Sequence, residues 1–68
     1  RNELLAEAVT NLSERKRKII LMSYFLDMTD YEIADELNLV RSTVTYHRES
    51  ALATLRRYME EMTDDEGE

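Results

Sequence analysis

The residues with chemistry to offer stand close together late in the chain, where Arg41, Ser42, Thr43, Thr45, Tyr46, His47 and Arg48 fall within eight positions. On a helical wheel, Ser42, Tyr46 and Glu49 lie opposite Val44 and Ala51, flanked by Arg41, Thr43 and Thr45. Such a face can read base pairs by their edges. Arg41 can pair with guanine O6 and N7, Thr45 can meet a thymine methyl, and Tyr46 can pack against a duplex or bond to its backbone. Glu49 would repel phosphate, so it either accepts from cytosine N4 or lies clear of the nucleic acid. The plainer alternative is that Ser42, Thr45 and Glu49 form a solvated face. Arg15, Lys16, Lys18 and Arg48 are the candidates for phosphate contacts, although the run from Arg15 to Lys18 equally suits a solvated stretch paired with Asp35 or Glu36. Arg56 and Arg57 each have a carboxylate four residues on, Glu60 and Glu61, and read as surface charges.

Catalysis finds little support. His47 is the single histidine and there is no Cys, so a metal site has no second ligand of either kind. At the edge of an apolar stripe, His47 reads as a partly buried core residue. The carboxylates are scattered, and neither a Gly-rich phosphate loop nor a nucleophile beside a base is present. The expectation is a protein that is not an enzyme and needs no cofactor.

Length and composition narrow the class further. Sixty-eight residues with no Cys, no Pro and one Gly make one domain at most. A domain near this size buries only about 60% of the surface its unfolded chain exposes, so apolar helix packing or a partner must hold it. Without Cys the setting is expected to be reducing and cytoplasmic. No apolar run approaches the roughly 20 residues that span a bilayer. With Arg1 in place of an initiator Met, the chain reads as a piece of something longer or trimmed.

The net charge of −6 argues against a nucleic-acid ligand, since duplex binding leans on phosphate neutralisation. Its distribution weakens that objection. Residues 58–68 carry −6 by themselves, residues 1–12 carry −1, and residues 13–57 sum to +1. Residues 63–68 hold no apolar side chain and are expected to form an acidic disordered tail on a single helical domain over residues 1–62.

The elements that must position these residues are helices, because apolar positions recur every three or four residues and no period-2 alternation appears. A first helix covers about residues 3–9, with Leu4, Leu5, Ala8 and Val9 as its stripe. A second, N-capped by Ser13, runs to about residue 26; four cations follow Glu14 where the helix dipole disfavours them, which asks for a reason. Its body is apolar nearly all round, as suits a helix touched on several sides. Met22, Met28, Met59 and Met62 are read as core and helix-end packing. Thr29-Asp30-Tyr31-Glu32 is a capping box that opens a short third helix. Asn38 tolerates the left-handed conformation that ends it. A fourth helix begins near Arg41 and passes Met59. Ala34 is small where two helices cross, and Ile33, Leu37, Leu39 and Val44 form the wedge between them. The order over about residues 29–50 describes a helix-turn-helix, which inserts its second helix into a major groove. An ordinary helical hairpin in a bundle is the alternative. The fold class is all-α, with four helices.

At this point the chain resembles a known family. Leu12-Ser13-Glu14-Arg15, Ile19-Ile20-Leu21, Tyr24-Phe25-Leu26, Glu32-Ile33-Ala34, Leu37-Asn38-Leu39, Ser42-Thr43-Val44 and the stretch from Ala51 to Arg56 are similar to region 4 of sigma-70 family RNA polymerase sigma factors. Phe25 to Asp30 and Leu39 to Val44 also resemble small sigma-like regulators carried on mobile elements of Gram-positive bacteria. The resemblance implies recognition of a −35 promoter element, docking on the flap of the polymerase β subunit, and base-facing roles for Arg41, Ser42, Thr43, Thr45 and Tyr46. The chain departs from the family's pattern where Val40 replaces a helix-opening Ser and His47 replaces an aliphatic residue. The rival reading is a module that docks on RNA polymerase or another regulator without touching DNA. A third, an activator domain that forms a homodimer through the last helix, keeps the same motif.

Overall fold

The computed structural model describes residues 2–67, with the side chains of residues 2, 4, 5 and 62–67 left outside the description. Four helices follow one another: α1 (Asn2–Thr10), α2 (Glu14–Tyr24), α3 (Asp30–Leu37) and α4 (Arg41–Gly67). The expected stripe of α1 is carried by Ala8, which is buried, and Val9, which is half-buried; Leu4 and Leu5 lie outside the described side chains.

Each junction has an identifiable cause. Ser13 caps α2 by accepting from the Lys16 amide at 3.3 Å. The expected end of α2 near Leu26 comes two residues sooner, because the Phe25 and Leu26 amides both turn back to the Leu21 carbonyl at 2.9 and 3.3 Å. Asp27 then takes φ 59°, a left-handed backbone that a short polar side chain tolerates. The capping box forms in full: the Glu32 amide donates to Thr29 Oγ1 at 3.1 Å, and the Thr29 amide donates to Glu32 Oε1 at 2.9 Å. Asn38 adopts φ 60°, ψ 46°, and both its amide and that of Leu39 return to the Ala34 carbonyl. Three residues later α4 begins.

Two apolar clusters hold the helices, and α2 contributes to both. Ile20 joins Ala8, Leu12, Ala51 and Leu55, tying α1 to the middle of α4. Its neighbour Ile19 joins Ile33, Ala34 and Val44, with Met22, Met28, Leu37 and Leu39 packed around them. That second cluster is the wedge of the helix-turn-helix. Ile19, Ile33 and Val44 are its fully buried side chains, so the angle between α3 and α4 is set by close packing at Ala34 and Val44. Met59 is half-buried, and Met62 falls outside the described side chains.

The apolar sequence of α2 is not covered on every side. Leu21, Tyr24, Phe25 and Leu26 stay exposed, Phe25 at 77%. A sequence that suits a central helix thus leaves large apolar side chains on the surface at the end of α2. The backbone of α4 continues as helix through Gly67, where the sequence suggests a disordered tail from residue 63. No Pro interrupts it and no Gly precedes Gly67.

Candidate nucleic-acid interface

The first turns of α4 carry the base-reading candidates, and burial sorts them. Val44 is fully buried, so the helix is rotated with Ser42, Tyr46 and Glu49 toward solvent, as the helical wheel requires. Arg41 and Ser42 are exposed, Thr43 and Thr45 are half-buried, and Tyr46 is 67% exposed. The Tyr46 ring meets the His47 ring edge-on at 5.6 Å between centroids. His47 is half-buried at the margin of the core, and its Nδ1 is buried without a hydrogen-bond partner among the described residues.

Thr45 and Arg48 turn inward to Asp30. The Thr45 hydroxyl donates to Asp30 Oδ2 at 2.7 Å, while Arg48 donates from Nε to Oδ1 and from a terminal nitrogen to Oδ2, each at 2.9 Å. This bidentate fork joins the first residue of α3 to the second turn of α4. Side-chain exposures of 25% and 17% for Arg48 and Asp30 make the pair partly desolvated. The hydrogen bond from Arg48 holds the Asp30 carboxyl below its ordinary value, against the opposing effect of burial, and the Thr45 hydroxyl and the nearby charge of Arg41 act in the same direction as Arg48. Asp30 in turn raises Arg48, with a smaller contribution from the Tyr24 phenol on α2. Arg48 is therefore engaged within the fold through Nε and one terminal nitrogen. Sequence reasoning had no signal for this lock, since Asp30 and Arg48 are 18 residues apart.

The basic run at the start of α2 divides in the same way. Arg17 points its terminal nitrogen at the carbonyls of Thr10 and Leu12, at 3.4 and 3.3 Å. It answers the negative end of α1, which accounts for one cation at an otherwise unfavourable place. Lys16 donates from Nζ to the Ser50 hydroxyl at 2.9 Å and so ties α2 to α4. Arg15 and Lys18 remain exposed and line a shallow surface hollow together with Glu14. On the far side Tyr58 donates to Glu7 Oε1 at 2.9 Å, and that carboxylate holds the phenol above its ordinary value.

One further residue belongs to this face and carried no signal in the sequence. Tyr31, the second residue of α3, is 71% exposed, and the Arg41 guanidinium lies over its ring at 5.0 Å from the centroid.

The arrangement is an exposed polar and basic helix start, braced by a shorter helix across a left-handed turn. No helix among the described residues is long and apolar enough to cross a membrane. No curated protein matches the chain. The family model described as "Sigma-70, region 4" matches residues 2–55, which include all of α1 to α3 and more than half of α4. Domains of that kind are DNA-binding, helix-turn-helix regulators of transcription that interact with RNA polymerase. With four helices in this order and a family match over most of its length, the chain belongs to the sigma-70 region 4 family.

Proposed function

We propose that the chain recognises a −35-type promoter element by laying the first turns of α4 in the major groove, and that it does so while docked on the β flap of RNA polymerase. The observation that carries the DNA part is the exposed set Arg41, Ser42 and Tyr46 on a helix whose opposite face, at Val44, is fully buried. Thr43 flanks this set. Arg15 and Lys18 supply phosphate contacts from α2. Thr45, Lys16 and Arg48, engaged as they are, hold the reading helix in place, with any remaining donor capacity turned to the duplex. The acidic end from residue 63 takes no part in recognition.

The docking part rests on the patch of Leu21, Tyr24, Phe25 and Leu26. An apolar surface of this kind on a small domain suits burial against another protein. Binding to DNA by the isolated chain is then weak and salt-sensitive, and tethering to polymerase raises the effective concentration at the promoter.

Selection from random duplexes, with and without polymerase, tests the reading. Arg41→Ala and Tyr46→Ala are expected to weaken the selected site by roughly five-fold or more while leaving unselected DNA less affected, in line with about 1–3 kcal/mol for a good base contact. Unchanged binding to every sequence in both variants would remove the base-reading assignment. The rival, a polymerase-docking module without DNA contact, predicts binding to a flap fragment, loss of it in Phe25→Ser, and no selected DNA.

A further inference from the structure

Arg41 occupies an unfavourable place for a cation. It is the first residue of α4, where the helix dipole presents its positive end. Val40 before it has no polar side chain to offset that field. The compensation comes from α3: the Tyr31 ring lies beneath the guanidinium at 5.0 Å, and the neighbouring Asp30 carboxylate feels the charge of Arg41. Tyr31 itself does little for the core, being 71% exposed.

A guanidinium lying on a ring face keeps its N–H donors free in its own plane. Held over the Tyr31 ring by this cation–π contact, the long Arg41 side chain is restricted, while the N–H donors not directed at the ring stay available to a guanine edge. Tyr31 is also held firmly in relation to α4, because Asp30, the residue before it, is fastened to Thr45 and Arg48. The ring under the guanidinium is thus carried by a residue whose neighbour is tied to α4.

We propose that Tyr31 is a specificity-determining positioning residue: by holding the Arg41 guanidinium on its ring, it sets the preference for guanine at the base pair that Arg41 faces. This rests on the DNA-binding reading above. Overall affinity, which depends on phosphate contacts, does not depend on it.

The experiment compares the full chain with Tyr31→Ala, Tyr31→Leu, Tyr31→Phe, Arg41→Ala and the Tyr31→Ala/Arg41→Ala double variant in selection from random duplexes. Wild type is expected to show one guanine position that Arg41→Ala loses. At that position Tyr31→Ala and Tyr31→Leu reduce the preference by about two- to five-fold, the range for an exposed cation–π contact, and Tyr31→Phe keeps it. In the Arg41→Ala background, Tyr31→Ala changes nothing further. Tyr31→Leu retains bulk without the ring face, so the result does not hang on one variant folding. A guanine preference undiminished in Tyr31→Ala and Tyr31→Leu overturns the proposal while leaving the DNA reading intact, as does a selected site with no Arg41-dependent guanine. A wild type that selects no sequence overturns both. Without DNA, the Arg41 side-chain protons should show an upfield ring-current shift in wild type and Tyr31→Phe that is absent in Tyr31→Ala; no such shift in wild type also overturns it.

Discussion

Asp30 illustrates how one side chain can have two jobs that look alike in sequence. An acidic residue in the first turn of a helix already complements the dipole there. Here it also accepts from Thr45 and Arg48 and so fixes α3 against the start of α4. Asp30→Asn keeps the shape but removes the charge that Arg48 faces, and is expected to destabilise the domain by about 1–2 kcal/mol, between the worth of an exposed ion pair and that of a charged hydrogen bond. Chemical denaturation measures this directly. The pH dependence has a definite sign. Because the folded state lowers the Asp30 pKa, its contribution is complete above the ordinary value of 3.8 and is lost as pH falls through the lower, folded value. Wild type should therefore lose more stability than Asp30→Asn when pH is taken from 5 to about 2. Equal losses would show that the lock contributes nothing in solution.

The turn between α3 and α4 is where local chemistry and tertiary demand meet. Asn38 must hold φ 60° so that the chain can leave α3 and enter α4 within three residues. Asn38→Ala is expected to cost about 1 kcal/mol, because Ala keeps the Cβ but loses the short polar side chain that makes the left-handed region tolerable for Asn, whereas Asn38→Gly should be neutral or slightly stabilising. A thermal melt separates the two. Val40 presents the opposite case: it precedes a helix, has no acceptor in its side chain, and is exposed. Val40→Ser should therefore stabilise α4 by about 1 kcal/mol through a new N-cap. A fall in melting temperature would mean that the Val40 side chain has a role its exposure does not suggest. These elements were legible in advance because capping boxes, left-handed Asn and apolar spacing act over four residues or fewer. The end of α2 was less so: Leu26 continues the apolar pattern, and only the turn through Asp27 shows that the helix has stopped.

The molecule measures 45 × 18 × 17 Å, a body of four packed helices from which α4 extends. That extension places charge at a distance. Residue 63 lies about 33 Å along the helix from Arg41, at 1.5 Å rise per residue. Screening falls off over about 8 Å at 0.15 M salt but about 30 Å at 0.01 M. Deleting residues 63–68 is thus expected to change DNA affinity less than two-fold near physiological salt, and to tighten it measurably only at low salt. A large gain at 0.15 M would mean that the acidic end folds back over the reading face. If Arg15, Lys18 and Arg41 are the cations that meet phosphate or base, log affinity against log salt should fall with a slope no steeper than roughly −3. A much steeper slope would show Lys16 or Arg48 leaving Ser50 or Asp30 to join the duplex.

The helices, their order and the motif follow from patterns that repeat within a turn or two, and from composition that leaves an all-α fold as the outcome. The exposed candidates Arg41, Ser42 and Tyr46 follow too, since burying Val44 and Ala51 leaves one direction for their face. The fate of the remaining charges does not follow. Arg17 on the carbonyls of α1, Lys16 on Ser50, Arg48 on Asp30 and Arg41 on Tyr31 are pairings across separate elements. Long side chains choose among partners that come within reach only after two apolar clusters have set how the helices cross. The net charge of −6 is a property of composition; that the backbone of α4 carries residue 63 about 33 Å from Arg41 is a property of the folded chain.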